Sequence, residues 1–206
     1  MYAETDPVAV LRSGPKLDRA AARKLLDDLF PGLAGQDAAS AEGTLGDDAY
    51  PDERLVCAAS FPGLDIVCHR DLQIDKPSTL PSDLIQAARG RSVYLHAMHS
   101  VTDWCAFAYW HKGRLIRALS ISPDDGVIED VGEHLPFEVP YWSGDHPVTL
   151  DDDDDDEEAY PLPFHPLELG EEALAYFFGF HLEGYATDLD PMSIPLAAFA
   201  RKARGR

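Results

Sequence analysis

The residues best suited to chemistry in this chain are two histidines and an aspartate in the stretch His96-Ala97-Met98-His99-Ser100-Val101-Thr102-Asp103. Neutral imidazole and carboxylate together suit zinc or manganese. The same groups, joined by Glu133, suit the acid–base work of a hydrolase or transferase. Spacing weakens both ideas. On a strand, positions 96 and 99 point to opposite faces, so they converge only if the strand ends at Met98 and the chain bends. The plainer expectation is that His96 is a hydrogen-bonded histidine at the core edge while His99 and Asp103 stabilise a turn.

Two further groups have the right residue types. Glu129, Asp130 and Glu133, with Asp124 and Asp125 upstream, form an oxygen-rich cluster of the kind that binds calcium or magnesium. Their spacing matches no EF-hand loop, and Asp-Asp-Gly is ordinary turn chemistry. Trp104, Trp110, Phe137, Tyr141, Trp142 and Phe164 are candidates for a contact surface, since such residues dominate interface hot spots. Tyr141, Trp142 and Phe164 are favoured for that role because Tyr141-Trp142-Ser143-Gly144 lies in a proline-interrupted region. Cys57, Cys68 and Cys105 each sit inside an apolar run with no CxxC spacing, which reads as core and not as metal or redox chemistry. GxGxxG, GxxxxGK[ST], GxSxG and HExxH are all absent, which disfavours nucleotide-binding, serine-hydrolase and zincin functions. No cofactor or metal is expected.

The elements that must hold these residues follow from periodicity and punctuation. Leu17 to Leu29 reads as an amphipathic helix stopped by Pro31-Gly32, and Gly35 to Asp52 as a loop. Leu55 to Phe61 and Leu64 to His69 read as buried strands around Pro62-Gly63. Pro81 to Arg89 reads as a short helix capped by Ser78 or Thr79 and ended by Gly90. Ser92 begins a strand, and Asp103 to His111 and Arg114 to Ser122 form a hairpin about Lys112-Gly113. That register sets Tyr109 against Ile116, Phe107 against Ala118, Ala106 against Leu119 and Trp110 against Leu115. Both faces are apolar, so the hairpin is expected in mid-sheet with cover on both sides. Glu129 to Val148 reads as irregular with a helical turn or two, and Leu167 to Phe178 as a helix stopped by Gly179. The sum is an α+β fold: one domain over residues 1–206, an antiparallel-dominated sheet covered by helices. Within it, residues 151–158 read as a solvated acidic loop and residues 201–206 as a short basic tail.

The chain has 206 residues, 45% of them hydrophobic, enough to build a core without metals or disulfides. Its net charge is −20, from 17 basic and 37 acidic residues. Eight of those acids form the run Asp151 to Glu158, and the remaining 29 still exceed the basic residues. Such a surface repels phosphate backbones and anionic lipids, which disfavours direct nucleic-acid or membrane binding and favours a basic protein partner. No apolar run approaches the roughly 18 residues that span a bilayer, and no signal-type segment opens the chain. A cytoplasmic location is expected.

At YLHAMHSVTDWCAFAYWHKGRLIRALSISPDDGVIEDVGEHLPFE (Tyr94 to Glu138) and YPLPFHPLELGEEAL (Tyr160 to Leu174), the chain resembles an uncharacterised family of bacterial proteins, a domain of unknown function. The likeness continues more weakly from Leu17-Asp18-Arg19-Ala20 through Phe61-Pro62-Gly63-Leu64-Asp65. It brings no activity, cofactor or catalytic residue with it. Members of that family begin with an apolar strand running into the segment that matches Met1-Tyr2-Ala3. That strand is not in this sequence, so either the start is truncated or the sheet lacks one strand. The hairpin followed by Gly-Glu-x-Leu-Pro-Phe-Glu also looks like segments of bacterial immunity-type and regulatory interaction proteins, a fold-level analogy. Together these readings favour a non-enzymatic cytoplasmic interaction or regulatory module with an acidic surface. The alternative is a hydrolase or transferase, with or without the help of a metal, built on His96, His99 and Asp103.

Overall fold

The structure is a computed structural model that describes residues 1–148, 160–184 and 187–202. The run Asp151 to Glu158 and the end of the basic tail lie outside the described residues. Nine strands follow in chain order: β1 (Tyr2–Ala3), β2 (Ala34–Thr44), β3 (Leu55–Phe61), β4 (Leu64–Cys68), β5 (Ser92–His99), β6 (Trp104–His111), β7 (Arg114–Ser122), β8 (Gly126–Val131) and β9 (Pro195–Arg201). They form one sheet of order β2-β9-β3-β4-β1-β5-β6-β7-β8 in which every neighbouring pair is antiparallel. Helices α1 (Pro7–Arg12), α3 (Leu45–Asp48), α5 (Val139–Trp142) and α6 (Pro166–Phe178) pack on one face, and α2 (Arg19–Leu29) and α4 (Ser82–Ala87) on the other. The α+β expectation therefore holds, with cover on both faces.

Alternation along each strand divides the core. On β5, Val93 and Leu95 join Leu80, Leu84 and Trp110 beside α4, while Tyr94 and Met98 face α6 with Phe107 and Leu169. Tyr94 stacks on its cross-strand neighbour Tyr109 with centroids 4.9 Å apart. Helix α2 starts where Asp18 accepts a hydrogen bond from the Ala21 amide at 2.9 Å, and it buries Ala22 and Leu26 against β3 and β9. All three cysteines are free and buried. Burial pushes the Cys57 thiol up to about 12 and raises those of Cys68 and Cys105 further, so they stay protonated at neutral pH.

Several expectations need correction. Residues Gly35 to Asp52 are not a loop: they supply β2, paired irregularly with β9, and α3. Their Gly, Ala, Asp and Ser content hid a strand whose ladder comes from residues 195–201 far along the chain. Within Glu129 to Val148 the first residues belong to edge strand β8, and one short helix, α5, follows. Helix α4 is not capped by Ser78 or Thr79, which lie in a separate 3-10 turn, Pro77–Thr79.

The β6–β7 turn is a two-residue one, with Lys112 at φ 51° and Gly113 at φ 77°, the left-handed pair that a tight hairpin requires. Its register is as expected only next to the turn. Trp110 faces Leu115, but a bulge follows, and Tyr109 faces Arg117, Phe107 faces Leu119 and Ala106 faces Ser120. Ile116 is the additional residue. A one-residue shift exchanges the two faces of a strand. It moves Ala118 to the α4 side and turns Arg117 toward the α5 side.

Candidate functional site

The histidines do not meet. His96 projects from β5 toward α6, where its Nε2 lies 2.9 Å from the Gly170 carbonyl oxygen and its Nδ1 lies 2.9 Å from the Tyr50 hydroxyl. A carbonyl only accepts, so Nε2 carries the proton and Nδ1 accepts from Tyr50. Burial lowers the His96 pKa to about 4, a fall that the hydrogen bond to Gly170 only partly opposes. Both ring nitrogens are committed and the ring is neutral. Met98 sits on the same face of β5, next to Gly170. His99 is exposed at the end of β5, on the opposite face from His96 by strand alternation.

Asp103 forms the β5–β6 turn at φ 45°, and its carboxylate lies 3.6 Å from His165 Nε2. His165 in turn caps α6, accepting from the Leu167 amide at 3.3 Å. Glu133 is exposed just beyond β8. Thus His99 and Asp103 share the turn between β5 and β6, while His96, on the opposite face of β5, and Glu133, beyond β8, stand apart from them. Among the described residues, no group of three or more His, Cys, Asp or Glu is arranged to hold a metal. Two of the acids read as a calcium cluster are otherwise engaged: Glu129 accepts from the Ser78 amide at 2.8 Å and its hydroxyl at 2.5 Å, and Asp130 pairs with Arg117.

The aromatic group also needs correction as a contact surface. Phe164 is 0% exposed and Tyr141 4%, and Phe164 packs edge-to-face with both Tyr141 and Trp142 in the core around α5. Trp142, partly buried, stacks on His134 with centroids 5.0 Å apart. Prolines disguise the periodicity of this segment, so its inward face left no pattern to read.

Sequence reasoning missed the charged centre that holds this segment in place. Arg117 is fully buried and grips Glu138, also fully buried, through Nε at 2.9 Å and Nη2 at 2.6 Å, while its Nη1 reaches Asp130 and the Val131 carbonyl oxygen. Glu138 additionally accepts from the Leu135 amide at 2.9 Å. Removing either member would strand a buried charge. The signal, an arginine in an apolar strand followed by Leu-Pro-Phe-Glu, points inward only once the bulge is known.

Two concavities stand out among the described residues. One is a largely apolar cavity between β4 and β5, lined by Met1, Cys68, Tyr50, His96, Leu84 and Phe178 among others. The other is an open groove where the turn after β5 meets the turn between β7 and β8. It is lined by His99, Trp104 and Thr102 and by the carboxylates of Asp75, Asp124 and Asp125, with Lys76 as its one lysine. All three carboxylates are on exposed residues. Trp104 is fixed there by its Nε1, which donates to Ser120 Oγ at 2.9 Å.

No curated protein and no solved structure matches the chain. No helix among the described residues is long and apolar enough to cross a membrane. A family model does match, over residues 1–199, so the chain belongs to a family of unknown function, DUF6928.

Proposed function

We propose that this chain is a non-enzymatic cytoplasmic interaction module that takes a basic protein partner, with the open groove beside β5 as its contact. The observation that carries this reading is the groove itself: three exposed carboxylates and a fixed tryptophan edge beside His99, on a chain of net charge −20. Acidic surroundings steer a cationic partner toward the groove and make the encounter sensitive to salt. Asp75, Asp124 and Asp125 supply charge, and Trp104 and Ile128 supply apolar contact beneath it. The acid–base alternative has less support, because His96 lies on the opposite face of β5 from His99 and its ring is committed to Tyr50 and Gly170.

A fluorescent arginine- and lysine-rich peptide titrated into the purified protein tests the proposal. Asp75→Asn, Asp124→Asn and Asp125→Asn together should weaken binding about tenfold at low ionic strength, with the difference shrinking as salt screens the groove. A control that neutralises exposed Glu4, Glu133 and Asp188 should weaken it far less. Equal losses in the two triple variants would mean that charge alone, and no site, drives the binding.

A further inference from the structure

The end of the sheet away from the acidic groove carries a cluster of cations. Ser92 starts β5 and His99 ends it, so the two ends of that strand stand about 23 Å apart. One rung before the Val93–Trp110 pair, Ser92 faces His111, and the Ser92 hydroxyl lies 3.2 Å from His111 Nδ1. His111 in turn pairs with Arg114 across the turn of Lys112 and Gly113. Residues directly opposite each other share a face. Ser92, His111 and Arg114 therefore stand in one row, on the same side of the sheet as Tyr94 and α6. His111, Lys112 and Arg114 are all exposed.

The protein itself does not satisfy these cations. Acids outnumber bases by 37 to 17, and Arg54, Arg91 and Arg117 all hold carboxylates. Among the described residues, neither Lys112 nor Arg114 makes an ion pair. Asp6, whose charge reaches Tyr94, is already the cap of α1 and accepts from the Val8 amide at 3.0 Å. Packing fixes the row from behind. Tyr94 stacks on Tyr109, the Tyr94 hydroxyl stands against those of Ser92 and Tyr109, and the Tyr109 and His111 ring centroids are 6.4 Å apart. With Nδ1 engaged by the Ser92 hydroxyl, Nε2 is the nitrogen His111 has left to offer a ligand.

We infer that Arg114, His111 and Lys112 bind the phosphate group of a small ligand. A tetrahedral dianion accepts hydrogen bonds in more directions than a carboxylate does. It therefore suits a guanidinium fork, an imidazole N–H and an ammonium acting together. The −20 charge of the whole chain opposes a long polyanion such as a nucleic acid, which would run on over acidic surface. A small ligand meets mainly the local field, because exposed charges farther than about 8–10 Å away are screened at physiological salt. This site stands at the opposite end of β5 from the acidic groove, and its existence does not depend on the function proposed for that groove.

Nuclear magnetic resonance titrations at constant ionic strength test this, with inorganic phosphate and phenyl phosphate as probes and sodium chloride as the reference. A phosphate probe should move the amide signals of Ser92, His111 and Arg114 along a saturating curve with a Kd on the order of 1 mM, and chloride should not. Arg114→Gln, a change on an exposed side chain, should weaken binding about tenfold. Arg114→Lys should restore part of it, by returning the charge without the fork. Lys76→Gln removes a cation from the acidic groove and should leave the titration unchanged. Saturation by phenyl phosphate marks an esterified phosphate as the ligand, saturation by inorganic phosphate alone marks the free ion, and either supports the inference. Shifts that stay linear and match those in chloride would overturn it, as would equal losses in the Arg114→Gln and Lys76→Gln proteins.

Discussion

His96 shows how burial decides what an imidazole can do. Its opposition to His99 was legible in the sequence, because alternation on a strand separates positions 96 and 99 whatever the fold. Its partners were not, since Tyr50 and Gly170 arrive from segments 46 residues before it and 74 after it. The consequence is measurable. With a folded pKa of about 4 against an ordinary 6.5, the unfolded chain binds a proton that the folded chain refuses between those values. Stability contributed by the neutral ring is therefore complete above about pH 6.5 and lost as the pH falls toward 4, by roughly 2–3 kcal/mol. Chemical unfolding across that window should show a steeper acid loss for the native protein than for His96→Gln. Parallel curves would mean that the ring titrates normally in the folded state. The same dependence on distant partners explains why Tyr141 and Phe164 looked available: only α5 and α6 packing together shows that they are core.

At the scale of elements, the strands that carry a clear apolar signal were readable and those that depend on a remote partner were not. Strands β3 to β7 lie where the residues place them, because β-branched and aromatic runs between glycine and proline turns leave little choice. Strands β2 and β9 pair residues as far apart in the chain as Ala34 and Arg201, and β2 is built largely from small and polar residues. The bulge at Ile116 is the most consequential local feature, since it turns Arg117 inward. Gly132 backs directly onto it: at φ +90°, an added Cβ would stand 2.1 Å from the Ile116 carbonyl oxygen. Gly132→Ala should therefore lower stability by about 2–4 kcal/mol, combining left-handed strain with displacement of backbone. Gly144, at φ +88° with nothing within 4 Å, isolates the strain alone, and Gly144→Ala should lose only about 1–2 kcal/mol. Denaturant titration of both variants separates the contributions. Equal losses would show that the close approach to Ile116 relaxes at no cost.

For the molecule as a whole, charge has two roles that salt can tell apart. The Arg117–Glu138 pair is buried on both sides, so dissolved ions scarcely reach it. The −20 excess lies elsewhere, and its self-repulsion opposes the compact state at long range, where ions screen well. Raising ionic strength from about 0.02 to about 0.5 M should therefore stabilise the fold. A gain of about 1–2 kcal/mol would raise the thermal midpoint by about 2–8 °C in a chain of this size. The Asp151 to Glu158 run carries eight of the negative charges, and deleting it brings the excess from −20 to −12. Repulsion grows with the product of the charges, so the shortened protein should retain roughly a third of the native salt response. Thermal scans of both proteins along one salt series decide the matter. If their midpoints climb in parallel, the response comes from local pairs and not from the charge of the whole.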